Sequence, residues 1–197
     1  MKKVARGDLL ELGAYEEIRP HFRARVIEEK RHRRFQPSAE LSVVFENTDT
    51  VLLQIQEMLR TERITGEAGI AHELETYNEL IPETGELSLT MFVEIPDREI
   101  RDRRLAELVG LENAVAIECA GEIFLARSET RGVLEGATTA LHYMKVPLGS
   151  AGMATLVKAA KDSTVQINFL VRHPALTVRT PLPAAVIRAL AGDQPAA

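Results

Sequence analysis

The chain has 197 residues, 45% of them hydrophobic, and a formal charge of −5, which is enough apolar material for one ordinary globular core. No run of about 18 apolar residues offers a membrane span, and the start Met1-Lys2-Lys3-Val4 lacks the apolar stretch of a signal peptide, so cytoplasmic residence is expected. Ten Lys/Arg stand against six Asp/Glu in residues 1–34 while the remainder is acidic, and with 5% aromatics and no Trp this is a poor match to a nucleic-acid binder.

In chain order, Asp8 and Glu11 have the form of a capping box opening a helix on Leu9, Leu12 and Tyr15. Pro20 suits the first turn of a second helix, with Phe22 and Val26 on one face. The basic run Lys30-Arg31-His32-Arg33-Arg34 reads as a helix end facing water, and Gln36-Pro37-Ser38 breaks the helical part, residues 8–35. Leu41–Glu46 reads as a strand and Asn47–Thr50 as a turn with N-cap formers. Residues 51–64 favour a helix, and 67–80 form another, closed by Pro82 and Gly85.

Glu86–Ile95 alternates as a strand, and Pro96-Asp97 opens a charged helix ended by Gly110. Two strands, 114–119 and 122–127, join at Ala120-Gly121, a hairpin signal. Cys119, the lone cysteine, excludes an internal disulfide and reads as a small buried hydrophobe. Residues 128–138 read as a loop. A strand (141–146), a helix (151–161), two strands (165–172, 176–179) around His173-Pro174 and a helix (183–191) follow. Several strand connections are too short for parallel crossovers. The expected fold is α+β, a largely antiparallel sheet flanked by helices, as one domain over residues 1–192 with a disordered tail at 193–197.

No GxGxxG, P-loop, HExxH or GxSxG motif is present. His72 and Glu75 share a helix face but supply two metal ligands where catalytic zinc needs three, so no metal site is assigned. Gln56, Glu57 and Arg60 lie along one helical edge, where a Glu–Arg pair presents a planar cation able to grip a carboxylate or phosphate. The same edge is also what a solvated surface ion pair looks like, worth under about 1 kcal/mol. Glu46, Asn47, Asp49 and Gln54 project toward the same region. Glu73, Tyr77 and Asn78 put an acid, a phenol and an amide at one helix end. His173 sits in a turn where it can titrate near neutrality.

Three segments carry a resemblance: Phe45-Glu46-Asn47-Thr48-Asp49-Thr50-Val51 running into Gln54-Ile55-Gln56-Glu57-Met58-Leu59-Arg60; Tyr77-Asn78-Glu79-Leu80-Ile81-Pro82; and Arg172-His173-Pro174. With Asp8-Leu9-Leu10 and Tyr15–Pro20, the whole chain resembles a bacterial family of about 200-residue proteins classed as a domain of unknown function. That family's genes often neighbour those for rubrerythrin-like and iron–sulfur oxidoreductase proteins, so the resemblance implies a redox or oxidative-stress partner without implying a reaction or cofactor. An acidic residue is expected before the His-Pro pair, and Arg172 stands there instead, which weakens a metal role for His173.

Three functions are compatible with these residues. One is an accessory or small-ligand-binding protein acting with a redox partner, with a site around Gln56, Glu57 and Arg60. A second is a metal-dependent enzyme using Glu57 and Glu73 with His173 or His142. The third is a structural protein–protein interaction module whose basic N-terminal helix docks on an acidic partner through Arg31, Arg33 and Arg34; a homo-oligomer is a separate expectation.

Overall fold

A computed structural model describes residues 1–128 and 137–193. In chain order these form α1 (Leu12–Arg31), β1 (Arg34–Phe35), β2 (Leu41–Phe45), α2 (Thr48–Thr61), α3 (Glu67–Asn78), β3 (Glu86–Val93) and α4 (Arg98–Glu107). Then follow β4 (Val115–Cys119), β5 (Glu122–Leu125), β6 (Arg127–Ser128), β7 (Leu141–Pro147), α5 (Gly149–Ala159), β8 (Ile167–His173), β9 (Leu176–Pro181) and α6 (Ala184–Gly192). The class is α+β, and every strand pairing is antiparallel.

The expected sheet is in fact two sheets. One has the order β1-β2-β3-β7-β6 and the other β5-β4-β8-β9. The chain changes sheet from β3 to β4, from β5 to β6 and from β7 to β8, most abruptly between β5 and β6, where Ala126 is the single residue between the strands. Strand alternation explains the layering. Leu41, Val43 and Phe45 of β2 and Leu87, Leu89, Met91 and Val93 of β3 enter one large core. They share it with Val115, Ile117, Phe169 and Val171 of the second sheet and with α5 and α6. The other face of the first sheet presents Ser42, Val44, Ser88, Thr90, Phe92, Tyr143 and Lys145, by the same period of two. Helix α2 turns Val51, Ile55 and Leu59 into a smaller core with Ile70 of α3 and with Leu80 and Ile81.

The N-terminal helices differ from expectation. Residues 12–31 are one helix with Pro20 inside it, preceded by a single 3-10 turn at Arg6–Asp8. Pro20 cannot bond the carbonyl of Glu16, but both residues are exposed, so water satisfies that oxygen and the break is tolerated. The basic cluster does not wholly face water either. Arg33 is 2% exposed, its guanidinium forked onto Asp193 (2.6 Å to each oxygen) and its Nε bonded to Glu29 at 2.6 Å. Arg34 lies in β1 and pairs with Glu94 at 2.5 Å.

The hairpin at Ala120-Gly121 forms as read, with both residues at positive φ (50° and 94°), the pattern of a type I′ turn. Gly152 is required where α5 crosses β5, since a Cβ there would sit 2.9 Å from Leu148 Cβ and 3.0 Å from the Phe124 ring. Most of the expected loop at 128–138 and the tail from 194 onward lie outside the described residues.

Candidate functional site

Between α2 and the polar face of the first sheet lies a cavity of about 480 Å³, within the range of small-molecule sites. Its floor is Val44, Thr90, Phe92, Leu141 and Tyr143, neighbours across β2, β3 and β7. Its wall is one stripe of α2, Gln54, Glu57, Met58 and Thr61, spaced as helix turns require, with Glu62 at the C-cap of that helix. Tyr77 of α3 and Lys30 of α1 complete the lining, with Glu46 at one end.

Glu46 is placed by the strand it extends. Its backbone N–H donates to Ser88 O at 2.8 Å, continuing the β2–β3 ladder, so its side chain falls on the polar face. It is 2% exposed. Thr90 Oγ1 donates to one carboxylate oxygen at 2.6 Å and Gln54 Nε2 to the same oxygen at 3.3 Å. The hydroxyl of Thr50 donates to the other. Thr50 has a second duty. Its Oγ1 accepts from Asn47 N–H (2.9 Å) while Asn47 Oδ1 accepts from Thr50 N–H (2.9 Å), a reciprocal box that starts α2. The N-terminus of α2 and the buried carboxylate are therefore one network.

Glu57 stands on the other flank of the wall and faces α1. Tyr15 Oη donates to Oε1 at 2.6 Å, Arg19 forks onto both oxygens (2.8 and 2.9 Å), and Arg23 reaches Oε2 at 2.7 Å. The Arg19 guanidinium, opposed in part by burial and helped by Tyr15, holds this carboxyl down at about 2. Burial, then the Glu57 hydrogen bond, pushes the Tyr15 phenol up. All four donors aim at one carboxylate, which leaves it little capacity for a ligand.

Of the eleven expected site residues, Glu46, Gln54, Glu57 and Tyr77 line the cavity. The others lie elsewhere. Gln56 is 2% exposed and clamps the backbone of Leu10, accepting from its N–H at 2.6 Å and donating to its carbonyl at 3.3 Å. Arg60 pairs with Glu16 at 2.6 Å, and Asp49 with Arg25 at 2.6 Å. Asn78 brackets Val4, with both bonds at 2.8 Å. Glu73 is half-buried on α3, outside the cavity lining. His173 belongs to the second sheet, its Nε2 2.9 Å from Val109 O and its Nδ1 accepting from Ala175 N–H at 3.1 Å. His142 falls on the core-side face of β7, opposite to Tyr143, and burial lowers its pKa. Glu57 and these histidines thus occupy different layers. Among the described residues no group of three or more His, Cys, Asp or Glu is arranged to hold a metal. Cys119 is buried, and burial pushes its thiol up to about 11.

Lys30, Val44, Met58, Thr61, Glu62, Thr90, Phe92, Leu141 and Tyr143 escaped the sequence reading. Two signals could have found them. Ser88, Thr90 and Phe92 alternate against the apolar positions of β3, which marks a half-polar face with something packed over it. Gln54, Met58 and Thr61 continue the helical stripe that starts from Glu57.

The chain belongs to a family described as "Protein of unknown function (DUF3501)", whose model matches residues 3–194. It is similar to a crystal structure of a protein of unknown function from Burkholderia pseudomallei K96243. The two are 31% identical with a TM-score of 0.89, and the match covers 98% of this chain and 99% of that one. A search of curated proteins found no match. Among the described residues no helix is long and apolar enough to cross a membrane.

Proposed function

We propose that this member of the DUF3501 family binds a small organic ligand in the cavity between α2 and the first sheet. One observation carries the reading. About 480 Å³ of space lies against a sheet face whose polar groups are already organised around a buried carboxylate. Phe92, Leu141, Met58, Val44 and two tyrosines of the lining offer apolar and aromatic surface, the usual main component of a ligand site. The acidic groups at its wall are held by partners of their own. Thr50 and Thr90 fix Glu46, and Tyr15 with two arginines fixes Glu57. A preorganised wall loses little entropy on binding.

The test is fluorescence titration with the uncharged aromatic probe N-phenyl-1-naphthylamine. One-to-one saturable binding is expected, lost when the space is filled by Leu141→Trp or, from the exposed end of α2, by Thr61→Trp. Circular dichroism and melting of each variant confirm that it is folded. Unsaturable binding, or binding indifferent to both substitutions, contradicts the proposal.

A further inference from the structure

We infer that the ligand of this cavity carries an oxyanion, a carboxylate, sulfonate or phosphate group, on a planar apolar body, and that Lys30 receives the charge. This rests on the small-ligand reading above and goes beyond it by naming the ligand class.

The lining holds three acids and one base: Glu46, Glu57, Glu62 and Lys30. Counted that way the cavity selects cations, but the hydrogen bonds reverse the result. Both oxygens of Glu57 are occupied on the α1 side by Tyr15, Arg19 and Arg23, so its charge is neutralised by two guanidinium groups. Glu46 is 2% exposed, beneath the donors Thr50, Thr90 and Gln54. Neither offers a ligand a carboxylate oxygen free of other donors. Glu62 is exposed at the end of α2, where water screens it.

Lys30 differs from all three. It is half-buried at the cavity wall, and among the described residues its ammonium has no hydrogen bond and no ion pair within 4.0 Å. Its neighbours on α1 are paired: Arg19 and Arg23 with Glu57, Arg25 with Asp49 and Arg31 with Glu28. A half-buried cation without a partner, in a space faced by Phe92, Tyr143, Tyr77 and Met58, matches an anionic headgroup followed by a flat apolar body. Aromatic faces and the soft thioether of Met58 suit such a body. Gln54 adds an amide carbonyl with no partner among the described residues, able to accept from a hydroxyl or amine on the ligand.

The experiment compares two probes that differ in charge on one scaffold: N-phenyl-1-naphthylamine, which is neutral, and 8-anilino-1-naphthalenesulfonate, which adds a sulfonate. Each is titrated into the full chain and into Lys30→Gln, which removes an ammonium that makes no hydrogen bond or ion pair among the described residues. The sulfonate is expected to bind about tenfold tighter than the neutral probe, an advantage of the size a charge-assisted hydrogen bond supplies. The readout is the ratio of the two affinities within each protein, which Lys30→Gln brings to about one. Lys30→Arg keeps the advantage. If the neutral probe binds one-to-one but the sulfonate gains nothing, or its gain survives Lys30→Gln, the oxyanion inference is overturned and the cavity reading stands. If neither probe binds one-to-one, the cavity reading itself falls.

Discussion

Glu57 shows how helical spacing can single out a residue and still miss its partners. The sequence paired it with Arg60, three positions along the same helix. The structure pairs it with Tyr15, Arg19 and Arg23 of α1, 34 to 42 positions earlier, and gives Arg60 to Glu16. Helical spacing identifies residues sharing an edge, but it cannot name what packs against that edge. The consequence is measurable. With its folded carboxyl at about 2 against an ordinary 4.5, Glu57 stabilises the fold fully above pH 4.5, and that contribution fades as pH falls toward 2. At neutral pH Glu57→Gln, which strands two guanidinium groups, is expected to cost roughly 2–3 kcal/mol, discounted for partial solvent exposure. Urea melts of the two proteins should converge as the pH approaches 2; a constant gap from pH 7 to pH 2 would show that the clasp is not ionic.

The α-helices and strands were largely legible because their periods and caps are local. Asn47 before α2, Asp97 before α4 and the alternation of β3 each depend on residues a few positions apart. Two features were not legible. Pro20 suggested a helix start, yet the cost of placing it inside α1 is met by solvent at the exposed carbonyl of Glu16. The division into two sheets rests on three changes of sheet, the abrupt one across Ala126 among them, that composition does not signal. The hairpin between β4 and β5 carries its own test. Ala120 occupies a left-handed position, φ 50°, that a Cβ disfavours by about 1 kcal/mol and that asparagine tolerates. Ala120→Asn is expected to raise the melting temperature by about 2–4 °C, read by differential scanning calorimetry. A lower melting temperature would mean that the turn gains nothing from the usual Asn-Gly pair.

At the scale of the molecule, the first sheet separates two environments. Its apolar face joins the second sheet, α5 and α6 in the main core, and its polar face looks across the cavity to α2. The four expected site residues that line the cavity reach it from three elements, which is why the region 46–60 held part of the cavity lining and not the rest. Glu46 and Gln54 were visible there, Tyr77 was seen separately, and the floor was invisible because single strands do not reveal which layer covers them. If the cavity reading holds, the space under α2 receives a ligand. Methionine methyl groups report on this directly, because Met58 lines the cavity while Met91 and Met144 face the main core across the sheet. In methyl-resolved NMR of 13C-methionine protein titrated with N-phenyl-1-naphthylamine, the Met58 resonance should shift progressively to saturation while those of Met91 and Met144 stay in place. A Met58 resonance unmoved at saturating probe, or equal shifts at all three, would contradict the claim.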